Sequence, residues 1–484
     1  MSPSVEPFNE AKYKALMDGQ ECSEIKFSDV RKTTTLRFDS DYYKKEYLKI
    51  EEFIQKNKSC FVSIEKQNLQ VDASAFYPSL EPYYNTGNIP FIRVADVKSH
   101  IDYNSCVNIP VMGEEFKTLH LCQSGDVVLT KGGRVGTAGL ITKPSYVTRD
   151  LIFINSSTMS RQDYVTLYMF FASDFAHKQM IRSSSMTAQP HLTITLIRDL
   201  LVYNYSDNFK KKIEEYYTRV ESLSSNAQFA YSEAEELLKQ SLNIDTSFIT
   251  NSTVSIKNKK SSFDISGRFD AEYYQSKYEK YTQVLNAQDT VGTLCKLYDQ
   301  NFVPEAEVEY TYVELASVGS AGEIVNAERN WGSELPTRAR RKVNAGQIIV
   351  SSIEGSLQSC ALITSEFDDS LCSTGFYVID SKDINSETLL VLFKCEIMQS
   401  LMKQRCSGSI LAGITKDEFL SMPLPSIDEN VQKEIAKKVK KSFELRRKSK
   451  QLFENTKKAV EMAIEQEEDA ALAWLKANVP NLEV

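Results

Sequence analysis

No stretch of this chain holds the roughly 18 consecutive apolar residues of a membrane span, and MSPSVEPFNEAKYK lacks the basic-then-apolar build of a leader. A cytoplasmic protein is the expectation. The nine cysteines form no CxxC pair, and the four histidines supply no matching zinc spacing. Reduced, buried thiols and no metal are therefore expected. His100, His120, His177 and His191 all lie in the first half, so chemistry shared by both halves cannot rest on them. Positive charge is also short: 57 Lys and Arg face 65 Asp and Glu, a net charge of −8. Coating nucleic acid by bulk electrostatics is disfavoured, and DNA binding must use local basic patches or a more basic partner.

Enzyme signatures are missing as well. GGRVGTAG (132–139) is glycine-rich but is neither GxGxxG nor GxxxxGK[ST]. EPYY (81–84) lacks the amide and second proline of an adenine methyltransferase loop. Glu24-Ile25-Lys26 has the ExK form of some nucleases, but the equivalent tripeptide is Ser255-Ile256-Lys257, without the carboxylate. No serine or cysteine nucleophile has a placed histidine in both halves. No catalytic residue and no cofactor site are expected on this chain.

What the chain does have is itself, twice. RFDSDYYKKEY (37–47) returns as RFDAEYYQSKY (268–278), an offset of 231. FIRVADV (91–97) matches YVELASV (312–318), and GDVVL (125–129) matches GQIIV (346–350), now at 221. HLTITLIRDLLVYN (191–204) pairs with GITKDEFLSMPLPS (413–426) at 222. The frame repeats while the segments between diverge, as expected of one scaffold that presents two different surfaces.

β-branched and apolar clusters bounded by Gly and Asn read as short strands: IPFIRVADV, GDVVLT and DLIFIN, then YTYVELASV, QIIVSS and GFYVID. One helical segment follows in each half, DYVTLYMFFASDFAHKQM and SETLLVLFKCEIMQSLMKQ. Beyond each globule lies a heptad pattern. Phe209, Ile213, Tyr216, Val220, Leu223, Ala227, Ala230, Ala234 and Leu237 alternate four and three apart. A second, from Val431 to Gln466, is marked by Val431, Ile435, Val439, Leu445, Leu452, Ala459 and Ala463, with Ser442, Ser449 and Thr456 as interruptions. Its middle is basic, and Glu233, Glu235 and Glu236 on the first helix offer a complement. The fold class is α+β: two similar mixed α/β domains separated by two long helices that form an antiparallel coiled coil. The expected parts are 1–24 (N-terminal segment), 25–207 (first domain), 208–244 (first helix), 245–427 (second domain) and 428–484 (second helix and tail).

Two loops recur with the groups that touch DNA. Thr130-Lys131-Gly132-Gly133-Arg134 matches the segment Ser351 to Ser356, and the segment Arg182 to His191 matches Gln404 to Ser409. Small residues admit a phosphate, cations neutralise it, and hydroxyls, amides and guanidiniums read base edges. The candidate DNA contacts are Lys131, Gly133, Arg134, Arg182, Ser184, Gln189 and His191 in the first half. In the second half they are Arg338, Arg340, Arg341, Ser352, Ser356, Arg405, Ser407 and Ser409.

With these residues placed, the chain resembles the DNA specificity (S) subunit of type I restriction-modification systems. IPFIRVADV, GDVVLTKGGRVG, AQPHLTITLIRDLLV and above all GITKDEFLSMPLPSIDENVQKEIAKKV look like that family's framing sequences. The first half carries LLVYNYSDN where the family shows a proline-rich phrase like MPLPSIDEN. The resemblance implies two target recognition domains, each reading half of a bipartite site in double-stranded DNA, with the helices as a ruler for the spacer. A helix over 208–242 would span ~52 Å, or ~15 base pairs. The implied partners are two methyltransferase subunits carrying S-adenosylmethionine, joined in some systems by a restriction/translocase subunit. The S subunit itself is non-catalytic. A self-sufficient DNA-modifying enzyme and a coiled-coil protein-binding scaffold are the competing readings.

Overall fold

The computed structural model describes residues 8–31, 36–184, 191–243, 254–260, 262–263, 267–408 and 412–479. The chain divides into two compact units, Met1–Glu221 with Ser449–Val484, and Ser222–Lys448. The first unit is thus assembled from both ends of the chain, and the second is contiguous.

Beside a two-stranded pair, Phe61–Ser63 with Leu201–Tyr203, the first unit's two main sheets use eight strands: β1 (Val71–Asp72), β2 (Ile89–Ile92), β3 (Val107–Ile109), β4 (Leu121–Cys122), β5 (Val127–Thr130), β6 (Ala138–Leu140), β7 (Ser145–Val147) and β8 (Leu151–Ile154). They form two sheets, β1-β8-β5-β6 and β3-β2-β7-β4. The second unit repeats them as β9 (Cys295–Tyr298), β10 (Glu309–Val313), β11 (Glu328–Trp331), β12 (Ala339–Val343), β13 (Ile348–Ser351), β14 (Cys360–Leu362), β15 (Ser370–Ser373) and β16 (Phe376–Ser381). Their orders, β9-β16-β13-β14 and β11-β10-β15-β12, are the same with every strand eight places on. Pairing is antiparallel except between β2 and β7 and, equivalently, between β10 and β15. VVLT and IIVS, the strands β5 and β13, are buried at every position, because each is paired on both sides and covered on both faces.

Each unit also has a short helix after its RFD phrase, α1 (Lys45–Lys56) and α5 (Ser276–Leu285). The single helical segment expected in each half is two helices: α2 (Arg161–Ala172) and α3 (Asp174–Ser183), then α6 (Ser386–Lys394) and α7 (Glu396–Arg405). Ser173 makes the first break by taking extended backbone and accepting the Ala176 N–H; Cys395 takes the same conformation in the second unit. The long helices are α4 (Asp207–Ser241) and α8 (Glu429–Glu465), followed by α9 (Glu468–Asn478).

Within each unit the portions of α4 and α8 pack antiparallel. In the first, the Ser449 hydroxyl donates to the Val220 carbonyl at 3.0 Å, and the Tyr205 hydroxyl, just ahead of α4, donates to that of Val460 at 3.3 Å. In the second, Ser442 donates to Ala227 at 2.7 Å, and Lys438 pairs with Glu233 at 2.7 Å. The α8 seam is more regular than its apolar residues suggest. Ser442, Ser449 and Thr456 are buried members of it, and Ile435, Val439, Ser442, Arg446, Ser449, Phe453, Thr456, Val460 and Ala463 alternate strictly four and three apart. On α4, Tyr217 and Leu238 are buried where Tyr216 and Leu237 were expected. The face is widened because the helices also grip their domains: Tyr217 lies edge-on to Tyr168 at 5.6 Å, and Leu238 and Tyr231 join the core of α6 residues 389–393.

At the start of α4, where the proline-rich phrase is absent, Tyr205 stacks on Phe209 at 5.1 Å and the Ser206 hydroxyl accepts the Phe209 N–H. Glu468 of α9 accepts the Ser206 N–H at 2.8 Å, tying the C-terminal helix to this turn.

Candidate nucleic-acid interface

The RFD phrases build the same clamp twice. Arg37 grips Asp39 at 2.5 Å and the Ser184 carbonyl at 3.0 Å; Arg268 grips Asp270 at 2.8 Å and the Cys406 carbonyl at 2.9 Å. Tyr43 and Tyr274 donate back to the carbonyls of Arg37 and Arg268, and each guanidinium lies over the neighbouring Tyr42 or Tyr273 ring. The bond from arginine holds both carboxyls below the usual aspartate range. These clamps fasten the beginning of each repeat to the chain leaving α3 and α7.

From there the chain returns to a junction of three loops. In the first unit the Lys131 N–H donates to the Asp150 carbonyl at 2.9 Å, and the Lys131 carbonyl accepts the Leu192 N–H at 3.0 Å. In the second the Ser352 N–H donates to the Gly375 carbonyl at 2.9 Å, and the Ser352 carbonyl accepts the Ile414 N–H at 2.8 Å. The loop after β5 or β13 is therefore held between the β7–β8 or β15–β16 turn and the strand-like return at 192 or 414. Both recurring loops picked from the sequence meet here. The third loop, Thr148-Arg149-Asp150 and its counterpart Ser373-Thr374-Gly375, was passed over. The repeat offset is 225 on this loop and on the strand before it, against 222 at Leu140 and Leu362, so the register shift lies in the connection that precedes β7 and β15.

In the first unit Lys131 is half-buried, with Nζ donating to the Arg149 carbonyl at 2.5 Å, and burial draws its pKa down. Gly133 is exposed at φ +70°, a backbone that strains any side chain, and it carries the chain to exposed Arg134. A Cβ on Gly132 would lie 3.8 Å from the exposed His191 ring, which places the two loops in contact. In the second unit the Ser352 hydroxyl donates to the Gly375 carbonyl at 2.9 Å and Ser356 bonds Ser351 at 3.1 Å. Ser407 is exposed on a two-residue strand that pairs with Gly413 and Ile414.

Other expected contacts face elsewhere. Arg182 is spent on Glu51 at 2.6 Å and on the Tyr42 carbonyl at 3.1 Å, Ser184 is buried and donates to Ile181, and largely buried Arg405 lies 3.6 Å from Glu418. Burial lowers the Arg405 pKa. These groups depart from the sequence expectation because the helix ends that carry them dock on the RFD clamp and α1. On β12 and its flank, Arg338 is exposed, Arg340 caps the Thr337 carbonyl at 2.9 Å, and Arg341 buries Nε and Nη1 without a hydrogen-bond partner. Gln189 and Ser409 lie outside the described residues.

His120, Cys122 and Asp126 approach one another within 4.8 Å. Asp126, however, accepts the Ser156 N–H and hydroxyl and the Gln123 N–H. Its repeat equivalent Gln347 accepts the Asn344 N–H in the same turn, so the position is a turn clasp in both units. Among the described residues no helix is long and apolar enough to cross a membrane.

No protein-family model and no curated protein matches the chain. Solved structures do. The type I restriction-modification S subunit from M. genitalium is 12% identical, over 87% of this chain and 96% of that one, with a TM-score of 0.33. The HsdS subunit from Thermoanaerobacter tengcongensis is 13% identical over 84% and 96%, with a TM-score of 0.28. The type IIG restriction endonuclease BpuSI is 9% identical over 39% and 29%, at 0.29. At these TM-scores the likeness by itself assigns nothing.

Proposed function

We propose that the chain is the DNA-recognition subunit of a type I restriction-modification complex. Each sandwich reads one half of a split sequence in double-stranded DNA, and the long helices set the gap between the halves and dock two methyltransferase subunits. S-adenosylmethionine belongs to those partners, which carry out the adenine methylation, and a restriction/translocase subunit is a further partner. The chain itself supplies position and selectivity but no bond-making group.

One observation carries this reading. The same backbone hydrogen bonds build the same three-loop junction twice, while the side chains on it differ almost completely. An enzyme that repeats its scaffold to do one reaction twice keeps the reacting groups and lets the frame drift. Here the frame is kept and the presented groups change, as two readers of different base sequences require. The framing phrases that resemble S subunits agree with it.

Methylome sequencing of cells with and without the chain is the test. Loss of adenine methylation at one split, asymmetric motif is expected, and an unchanged methylome overturns the proposal. Methyl transfer by the purified chain alone with S-adenosylmethionine would replace it with the self-sufficient enzyme.

A further inference from the structure

The two junctions share a backbone but not a charge. In the first unit the loops carry Lys131, Arg134 and Arg149 against one carboxylate, Asp150. Arg134 and Arg149 are both exposed, and neither guanidinium has a hydrogen bond or ion pair among the described residues. Their backbones are fixed: the Arg134 carbonyl accepts the Thr137 hydroxyl, at 2.9 Å, and that of Thr130, while the Arg149 N–H donates to the Tyr77 hydroxyl at 3.4 Å and its carbonyl accepts Lys131 Nζ. In the second unit the equivalent positions of Lys131, Arg134 and Arg149 are Ser352, Gly355 and Thr374. Apart from largely buried Arg405, which faces Glu418, the charged side chain on its three loops among the described residues is Glu354; exposed Arg338 lies beside them, its carbonyl accepting the Thr374 N–H at 2.9 Å.

In a protein of net charge −8, two exposed guanidiniums without a partner among the described residues, on loops joined through Lys131, offer polyanions a local attraction. Two guanidiniums with free forks suit phosphate oxygens, and the small residues beside them, Gly132 and Gly133, let a backbone come close.

Resting on the recognition reading, we propose that the first unit's junction is the phosphate anchor of the subunit, with Arg149 and Arg134 each neutralising one DNA phosphate, and that the second unit's junction adds none. The two half-sites are then bound differently. The first contributes a salt-dependent grip that any sequence receives, and the second contributes selection through hydroxyls and backbone groups. Arg149, on the loop that the sequence reading passed over, is a binding residue of the complex.

The experiment is a salt titration of full-length chain, alone and with its methyltransferase partners, on a labelled duplex of mixed sequence. Each phosphate contact contributes about 0.9 to the slope of log K against log salt. Arg149→Ala is expected to shallow that slope by about one and Arg134→Ala/Arg149→Ala by about two, with Arg149→Lys close to the parent. Thr374→Ala is expected to leave the slope alone, and Thr374→Arg to steepen it by about one. If the parent binds duplex and its slope survives the double substitution, the anchor assignment is overturned while the recognition reading stands. If the parent binds no duplex in either form, the recognition reading falls with it. Both arginines are exposed, so loss of fold is not expected; thermal melting of each variant checks this.

Discussion

The two units differ least where they hold themselves together and most where they face outward. Arg37–Asp39 and Arg268–Asp270 are reproduced down to the carbonyl each guanidinium caps and the tyrosine beneath it. Lys131 and Ser352 share every backbone bond of the junction but present an ammonium in one unit and a hydroxyl in the other. A frame defined by backbone bonds lets side chains change without a cost in fold. The units also diverge in how they grip the long helices. The first sets buried Tyr168 between Tyr217 at 5.6 Å and Phe453 at 6.0 Å, with α2–α4 ion pairs such as Lys210–Asp163 at 2.9 Å beside them. The second packs Tyr231 and Leu238 into its core and sets Arg446 between Glu323 at 3.1 Å and Gln228 at 3.0 Å.

The most drastic way to break the comparison is to exchange residues 38–205 for the equivalent segment of a similar protein. Methylation at the parent motif should be lost and replaced at a motif altered in one half only, read by methylome sequencing; changes in both halves would contradict two independent readers. Next come the helix grips. Tyr168→Ala removes a fully buried ring and is expected to cost about 3–5 kcal/mol. Arg446→Ala leaves a mostly buried Glu323 carboxylate without its cation and is expected to cost about 2 kcal/mol. Denaturant melts at two salt concentrations check both, with the Arg446 contribution alone shrinking as salt rises.

The shared clamp sharpens the comparison from the other side. Asp39→Asn and Asp270→Asn should destabilise equally, by about 1 kcal/mol or less because the pairs are partly exposed. Arginine holds both carboxyls below their unfolded value. The stabilisation is therefore present above about pH 4 and lost as pH falls through the lower folded value. Acid melts of the two variants should lie below the parent by the same amount above that window and converge on it as pH falls through it. The smallest effect belongs to Ser442→Ala, at about 1 kcal/mol or below, because the Ala227 carbonyl that it bonds already lies within a helix. A larger loss would mean that the hydroxyl fixes the register of the helix pair.

Much of this was legible in the sequence. Strands such as GDVVLT and QIIVSS, the two long helices and the recurrence of two loops followed from period, composition and repetition; that the loops meet did not. The paired helix segments were harder, since period alone cannot see that Ser173 and Cys395 break α2–α3 and α6–α7. Ser442, Ser449 and Thr456 looked like flaws in a seam because apolarity was the signal, whereas small hydroxyls bonded to a carbonyl are equally at home there. The site was the least legible. Arg182 and Arg405 looked like DNA contacts by type, but a cation's partner is set by what the fold brings beside it, here Glu51 and Glu418.

The first unit draws on Met1–Glu221 and Ser449–Val484, whereas the second is the unbroken stretch between. A ribosome releases chain from the N-terminus onward, so the domain synthesised first is the one completed last. Until the final segment emerges, Tyr168 lacks the face of Phe453 and the Tyr205 hydroxyl lacks its Val460 acceptor, while the second unit's segment is already whole. Synthesis that stops before Ser449 therefore leaves aromatic surface open only on the first unit. That gives cellular quality control a handle on incomplete copies.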